Sequence, residues 1–169
     1  FEGGVITKIV QGNYNCLYIG SVKEGVSELN LTSGQVRNLL AIDESGESIF
    51  CRDLLPYSDN ELWIGTESGI YIYNLRTAQF IHLRASLYDS YSLSDNAIYA
   101  LYKDREEGLW IGSYFGGVDY YPRQYTYFAK YYPKNIANSL HGKRVREFCR
   151  AVDGTLWIGT EDGGLNHFN

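Results

Sequence analysis

Eight side chains in three groups have the types and spacing to recognise a charged or ring-shaped ligand. Arg52, Tyr99 and Arg146 recur at intervals of 47 residues. If that interval is a structural repeat arranged around an axis, it gathers two guanidiniums and a phenol into one ring. A guanidinium fork holds a carboxylate or sulfate through two parallel hydrogen bonds, so the ring suits a carboxylated or sulfated sugar. The competing reading pairs each arginine with a neighbouring acid, for example Asp53 or Glu147. Tyr114-Phe115 forms the second group, at the place where Glu67-Ser68 and Glu161-Asp162 stand in the other repeats. Flat aromatic faces stack on sugar rings, and they also pack against adjacent loops. His141, Lys143 and Arg144 make a short basic run, which reads either as part of a binding rim or as a solvated loop.

Catalytic motifs are absent. Gly112-Ser113-Tyr114-Phe115-Gly116 has one residue too many for a nucleophile elbow, and Gly142-Lys143-Arg144 lacks both the first glycine and the hydroxyl of a phosphate loop. His82, His141 and His167 have no ligand spacing. Acidic turns such as Glu161-Asp162-Gly163 read as solvated turns rather than cation sites. Neither a cofactor nor a metal is expected, and the segment is expected to be no enzyme. Cys16, Cys51 and Cys149 are odd in number and far apart, and they read as buried free thiols in or beside strands.

The elements that must position these groups are marked by Leu-Trp-Ile-Gly at 62–65, 109–112 and 156–159, with the weaker Leu17-Tyr18-Ile19-Gly20 before them. The spacings are 45, 47 and 47 residues. A period in the forties with short strands and turn glycines predicts the blades of a β-propeller. Aligned on the anchor, Ile6, Cys51, Ile98 and Val145 share one position, and Ile9, Leu54, Leu101 and Phe148 share another three residues later. The first, innermost strands are therefore expected at Val5–Gln11, Ile49–Leu55, Ile98–Lys103 and Val145–Val152. The anchors are the second strands. Third strands follow at Ile70–Leu75, Val118–Tyr121 and Leu165–Asn169, and fourth strands at Gln35–Leu40, Gln79–Arg84 and Tyr127–Tyr132. The expectation is an all-β partial propeller over 1–169, with blades at about 5–40, 49–84 and 98–132 and an incomplete one at about 145–169. Trp63, Trp110, Trp157 and Tyr18, mid-strand between Leu and Ile, are assigned to the packing layer between blades.

The net charge of −5 argues against nucleic-acid binding by this segment, because that needs a basic surface. No apolar run reaches the roughly 18 residues that span a bilayer. The chain opens at Phe1 without an initiator methionine and reads as a piece of a longer protein. Propellers close with about four to eight blades. Remaining blades of the parent chain, or self-association, are thus expected to complete the ring.

The run Val145-Arg146-Glu147-Phe148, then Asp153-Gly154-Thr155-Leu156-Trp157-Ile158-Gly159-Thr160-Glu161-Asp162-Gly163-Gly164-Leu165-Asn166, resembles the two-component regulator propeller repeat. Residues 98–104 begin a second good copy. The second blade departs by having the single Gly69, and the first by Tyr18 for Trp and Lys23-Glu24-Gly25 for the acidic double-glycine turn. The resemblance implies the periplasmic sensor region of a Bacteroides-type hybrid two-component histidine kinase, membrane-anchored in its parent and sensing glycan-derived oligosaccharides. The alternatives are a structural or dimerising propeller with its ligand site elsewhere, and a propeller polysaccharide lyase or hydrolase.

Overall fold

The structure is a computed structural model that describes residues 4–89, 91–123, 131, 133 and 139–168. The chain forms two compact units, Phe1–Tyr125 and Thr126–Asn169. Every element among the described residues is a strand, each paired antiparallel with its sequence neighbour.

The first unit holds three meandering sheets. Strands β1 (Ile6–Gln11), β2 (Cys16–Ser21), β3 (Val26–Asn30) and β4 (Val36–Leu40) pair in order. So do β5 (Cys51–Pro56), β6 (Glu61–Thr66), β7 (Gly69–Asn74) and β8 (Phe80–Leu83). The third sheet contains β9 (Ile98–Lys103), β10 (Leu109–Ser113) and β11 (Val118–Tyr121). Its expected fourth strand, Tyr127–Tyr132, lies outside the described residues apart from Tyr131. Tight turns explain the short connections: Tyr14 and Asn15 both adopt φ near +60°, as the hairpin joining β1 to β2 requires, and Glu107 does the same before β10.

The first strands lie side by side, β1 against β5 and β5 against β9, so the sheets stack face to face like propeller blades. The core accordingly lies in two seams rather than at one centre. Tyr18, Val26, Cys51, Leu54, Leu62 and Ile64 fill the first, and Trp63, Ile70, Ile98, Leu101, Leu109 and Ile111 fill the second. The anchor glycine is needed because the next blade comes so close. A Cβ on Gly20 would overlap Cys51 Sγ, and one on Gly65 would stand 3.0 Å from Ile98 Cγ2.

One buried carboxylate joins all three first strands. Asp53 Oδ1 pairs with Lys8 Nζ at 2.7 Å and accepts the Leu54 N–H, while Oδ2 accepts the Leu101 N–H at 2.8 Å. Thr7 Oγ1 donates to the Cys51 carbonyl at 2.6 Å, and Tyr57 hydroxyl donates to the Glu107 carbonyl at 3.0 Å.

The second unit carries β12 (Val145–Arg150), β13 (Leu156–Thr160) and β14 (Gly164–Phe168) in a single sheet. Tyr131 packs edge-on against Phe168, with ring centroids 5.1 Å apart.

Two expectations about the core need correction. Tyr18 and Trp63 are buried, but Trp110 and Trp157 are 44% and 37% exposed. Trp63 lies in the second seam, 5.8 Å from Tyr121 of the third sheet. Trp110 instead packs at a tilt against Tyr120 of its own sheet, with centroids 4.7 Å apart, and donates Nε1 to Asp104. Trp157 stacks on its own neighbour His167. The residue is the same in the three Trp-bearing repeats, and what packs on it differs. Cys16 and Cys51 are buried as expected, whereas Cys149, in the single-sheet unit, is exposed.

Candidate ligand site at the junction of the second and third blades

The position shared by Thr7, Arg52, Tyr99 and Arg146 is the extra residue of a β-bulge in all four sheets. Pairing runs Ile6↔Ser21 then Lys8↔Gly20, and Cys51↔Thr66 then Asp53↔Gly65. It runs Ile98↔Ser113 then Ala100↔Gly112, and Val145↔Thr160 then Glu147↔Gly159. Each bulge breaks the alternation and re-aims one side chain. In three blades that side chain meets the residue fifteen positions later, in the turn after the second strand. Arg52 pairs with Glu67, Arg146 pairs with Glu161 at 2.8 Å, and Tyr99 stacks on Tyr114 with centroids 5.2 Å apart.

The second and third blades join their pairs into one array. The Arg52 guanidinium lies 3.9 Å from the centroid of the Phe50 ring and 4.5 Å from that of Tyr99. Tyr114 in turn meets Phe115 edge-on, at 4.4 Å and 79°. Thus Phe50, Arg52, Tyr99, Tyr114 and Phe115 form a continuous cation–aromatic ladder that becomes more exposed toward its end, where Phe115 is 86% accessible. Contacts of this kind are worth about 0.5–1 kcal/mol each at exposed sites.

The turn presenting this ladder is held from behind. Tyr114 N–H donates to the Ala97 carbonyl, and Phe115 N–H donates to Asp95 Oδ2, both at 2.9 Å. Gly117, at φ +80°, closes the turn by accepting the Ser113 N–H. The Phe115 amide, followed by those of Ala97, Asn96 and Gly116, holds the Asp95 carboxyl below its usual range. Ser94 is fixed to Asp119 through its N–H and its hydroxyl.

Of the residues singled out by sequence, the structure therefore brings Arg52, Tyr99, Tyr114 and Phe115 together. Arg146 belongs to the second unit. The arginines do pair with acids, but with Glu67 and Glu161 across the bulge rather than with the adjacent Asp53 and Glu147. His141, Lys143 and Arg144 are exposed, and their backbone is tied down: Asn166 Oδ1 accepts the His141 N–H, and Asp162 accepts those of Lys143 and Arg144. Those amides keep the Asp162 carboxyl below its ordinary value.

Sequence reasoning missed Glu67, Phe50 and Asp95. The first was legible, since Arg and Glu recur together fifteen residues apart in two blades. Among the described residues no cluster of three His, Cys, Asp or Glu side chains could hold a metal ion.

Residues 92–115, which include Tyr99, Tyr114 and Phe115, match the two-component regulator propeller model. No curated protein matches the chain. Three solved structures from B. thetaiotaomicron are similar to it. The extracellular domain assigned to a hybrid two component system is 19% identical with a TM-score of 0.62, covering 100% of this chain and 22% of that one. Another structure, of an extracellular domain assigned to a one component system, is 16% identical with a TM-score of 0.64, covering 100% and 28%. A third, also assigned to a hybrid two component system, is 24% identical over 96% of this chain and 26% of that one, with a TM-score of 0.49. The chain spans about a quarter of each of these structures. The likeness in the first two is one of fold: stacked antiparallel sheets of a β-propeller.

Proposed function

We propose that this chain, which carries a two-component regulator propeller repeat, is a non-catalytic segment of the extracytoplasmic sensor region of a hybrid two-component regulator. It binds a glycan-derived oligosaccharide or relays that binding, and its membrane-anchored parent, a histidine kinase, presents it to the periplasm. The observation that carries this reading is the ladder from Phe50 to Phe115. It places exposed aromatic faces on a turn fixed by Asp95 and Ala97, at the junction of two blades. Rigid aromatic surface with little ordering cost is what ring recognition needs.

The ladder offers no acid–base pair. The Glu67 carboxylate is engaged by Arg52, and Asp95 is engaged by backbone amides. Calorimetric titration with an oligosaccharide panel, followed by product analysis, tests the proposal. Saturable binding with the sugar recovered intact is expected. Release of shortened sugars would refute the sensor reading in favour of a lyase or hydrolase.

The outward faces carry a second proposal. Ile6 and Ile9 on β1, and Tyr102, Trp110 and Tyr120 on the third sheet, are exposed apolar groups. The β1 face takes further blades of the longer parent chain, packed as β1 packs on β5 and β5 on β9 within the first unit. A longer piece carrying those blades is expected to be monomeric by light scattering. A persistent dimer would instead make this segment a dimerising module.

A further inference from the structure

Resting on that sugar-binding reading, we infer that the ladder takes an uncharged sugar ring, seated in the corner between Phe115 and Tyr114, and rejects acidic sugars. Spacing alone pointed the other way, toward a carboxylate or sulfate on the Arg52 fork. The geometry already commits the bidentate edge of that fork to another partner. Arg52 directs both Nε and Nη2 at Glu67 Oε1. Rings cover its plane, Phe50 at 3.9 Å and Tyr99 at 4.5 Å. Lined up along the ladder are therefore one guanidinium and two carboxylates, Glu67 and Asp95, and the surplus is negative. An incoming carboxylate would meet like charge and would have to displace Glu67 from its partner.

What remains open to a ligand is aromatic. Phe115 is 86% exposed and Tyr114 59%, and their planes stand 79° apart. Such a corner offers one face to the C–H surface of a pyranose and a second ring as a wall, with the phenol able to exchange hydrogen bonds with sugar hydroxyls. The other two acid-bearing blades show the contrast. At the same turn they carry Glu67-Ser68 and Glu161-Asp162, which offer no stacking surface.

The test is a calorimetric titration of the whole chain with three neutral tetrasaccharides (cellotetraose, laminaritetraose, maltotetraose) and with trigalacturonate. At least one neutral sugar is expected to bind and trigalacturonate to show no saturable heat. Phe115→Ala should weaken the neutral sugar about tenfold, or about 1.4 kcal/mol. Glu67→Gln, which removes the carboxylate charge facing the guanidinium, should gain trigalacturonate binding by at least about tenfold. Both variants change exposed side chains, and thermal unfolding checks that each is folded. Saturation-transfer NMR on the unaltered chain supplies a readout without mutation, with the sugar C–H protons expected to receive saturation from aromatic protons. Tighter binding of trigalacturonate than of every neutral sugar would overturn the inference and leave the sugar-sensing reading standing. Binding of neither class would overturn both.

Discussion

The face of the second sheet that carries Trp63 and the face of the third that carries Trp110 are written with the same four residues, Leu-Trp-Ile-Gly. In the first case Trp63 is 4% exposed beneath Tyr121 and Ile98, and the anchor glycine faces Ile98 at close range. In the second, Trp110 is 44% exposed, and a Cβ on Gly112 would meet only Ala100 of its own sheet at an ordinary 3.5 Å. Residue type thus sets what a blade can do, and cover decides whether it does it. A repeat protein is stabilised through its neighbours, so identical positions differ in energy according to what stacks on them.

The largest break in this comparison should come from paired tryptophan truncations. Trp63→Ala should cost about 3–5 kcal/mol in chemical denaturation, because it empties a filled seam. Trp110→Ala should cost only about 1–2 kcal/mol, since it loses an exposed ring contact with Tyr120 and the hydrogen bond to Asp104 but empties no seam. Equal costs would contradict the seam account. Asp53→Ala comes next, at about 3 kcal/mol, because it strands the Leu101 N–H and removes the partner of Lys8 in the middle of the stack. Glycine substitutions sharpen the comparison at smaller scale. Gly20→Ala should cost about 1–3 kcal/mol by overpacking against Cys51, while Gly112→Ala should stay within about 0.5 kcal/mol.

Titration separates seam and turn by direction. Burial, with Asp53 nearby, pushes the Cys51 thiol up to about 12 from its ordinary 9.0. The folded state therefore holds that proton longer, and the seam loses stability as pH rises from 9 toward 12. A Cys51→Ser variant should flatten this alkaline limb. Asp95 shifts the opposite way, so its contribution is present above its ordinary value of 3.8 and is lost as pH falls below it. Amide exchange at Phe115 should accelerate there before the seam amides respond.

Much of the strand plan was legible because the anchors fix a register. The strands Ile98–Lys103 and Val118–Tyr121 were read to the residue. The bulge was legible too, though it was overlooked. Cys51 and Leu54 both face Gly20, and two same-face residues three apart in a strand require one extra residue between them. Arg52 and its equivalents are that residue. The exposure of Trp110 and Cys149 was not legible, because local pattern says which face is apolar and nothing about whether a sheet lies over it. Nor could charge pattern show that Phe50 and Tyr99 enclose the Arg52 guanidinium, since that requires two blades in register.

The measurement that bears most directly on the account is residue-resolved NMR shift mapping during titration with the tightest binder among the three neutral tetrasaccharides. The account predicts perturbations concentrated at Phe50, Arg52, Tyr99, Tyr114 and Phe115, with the His141–Arg144 run unmoved. Shifts centred on that basic run, or spread over the open sheet faces with the ladder silent, would contradict it.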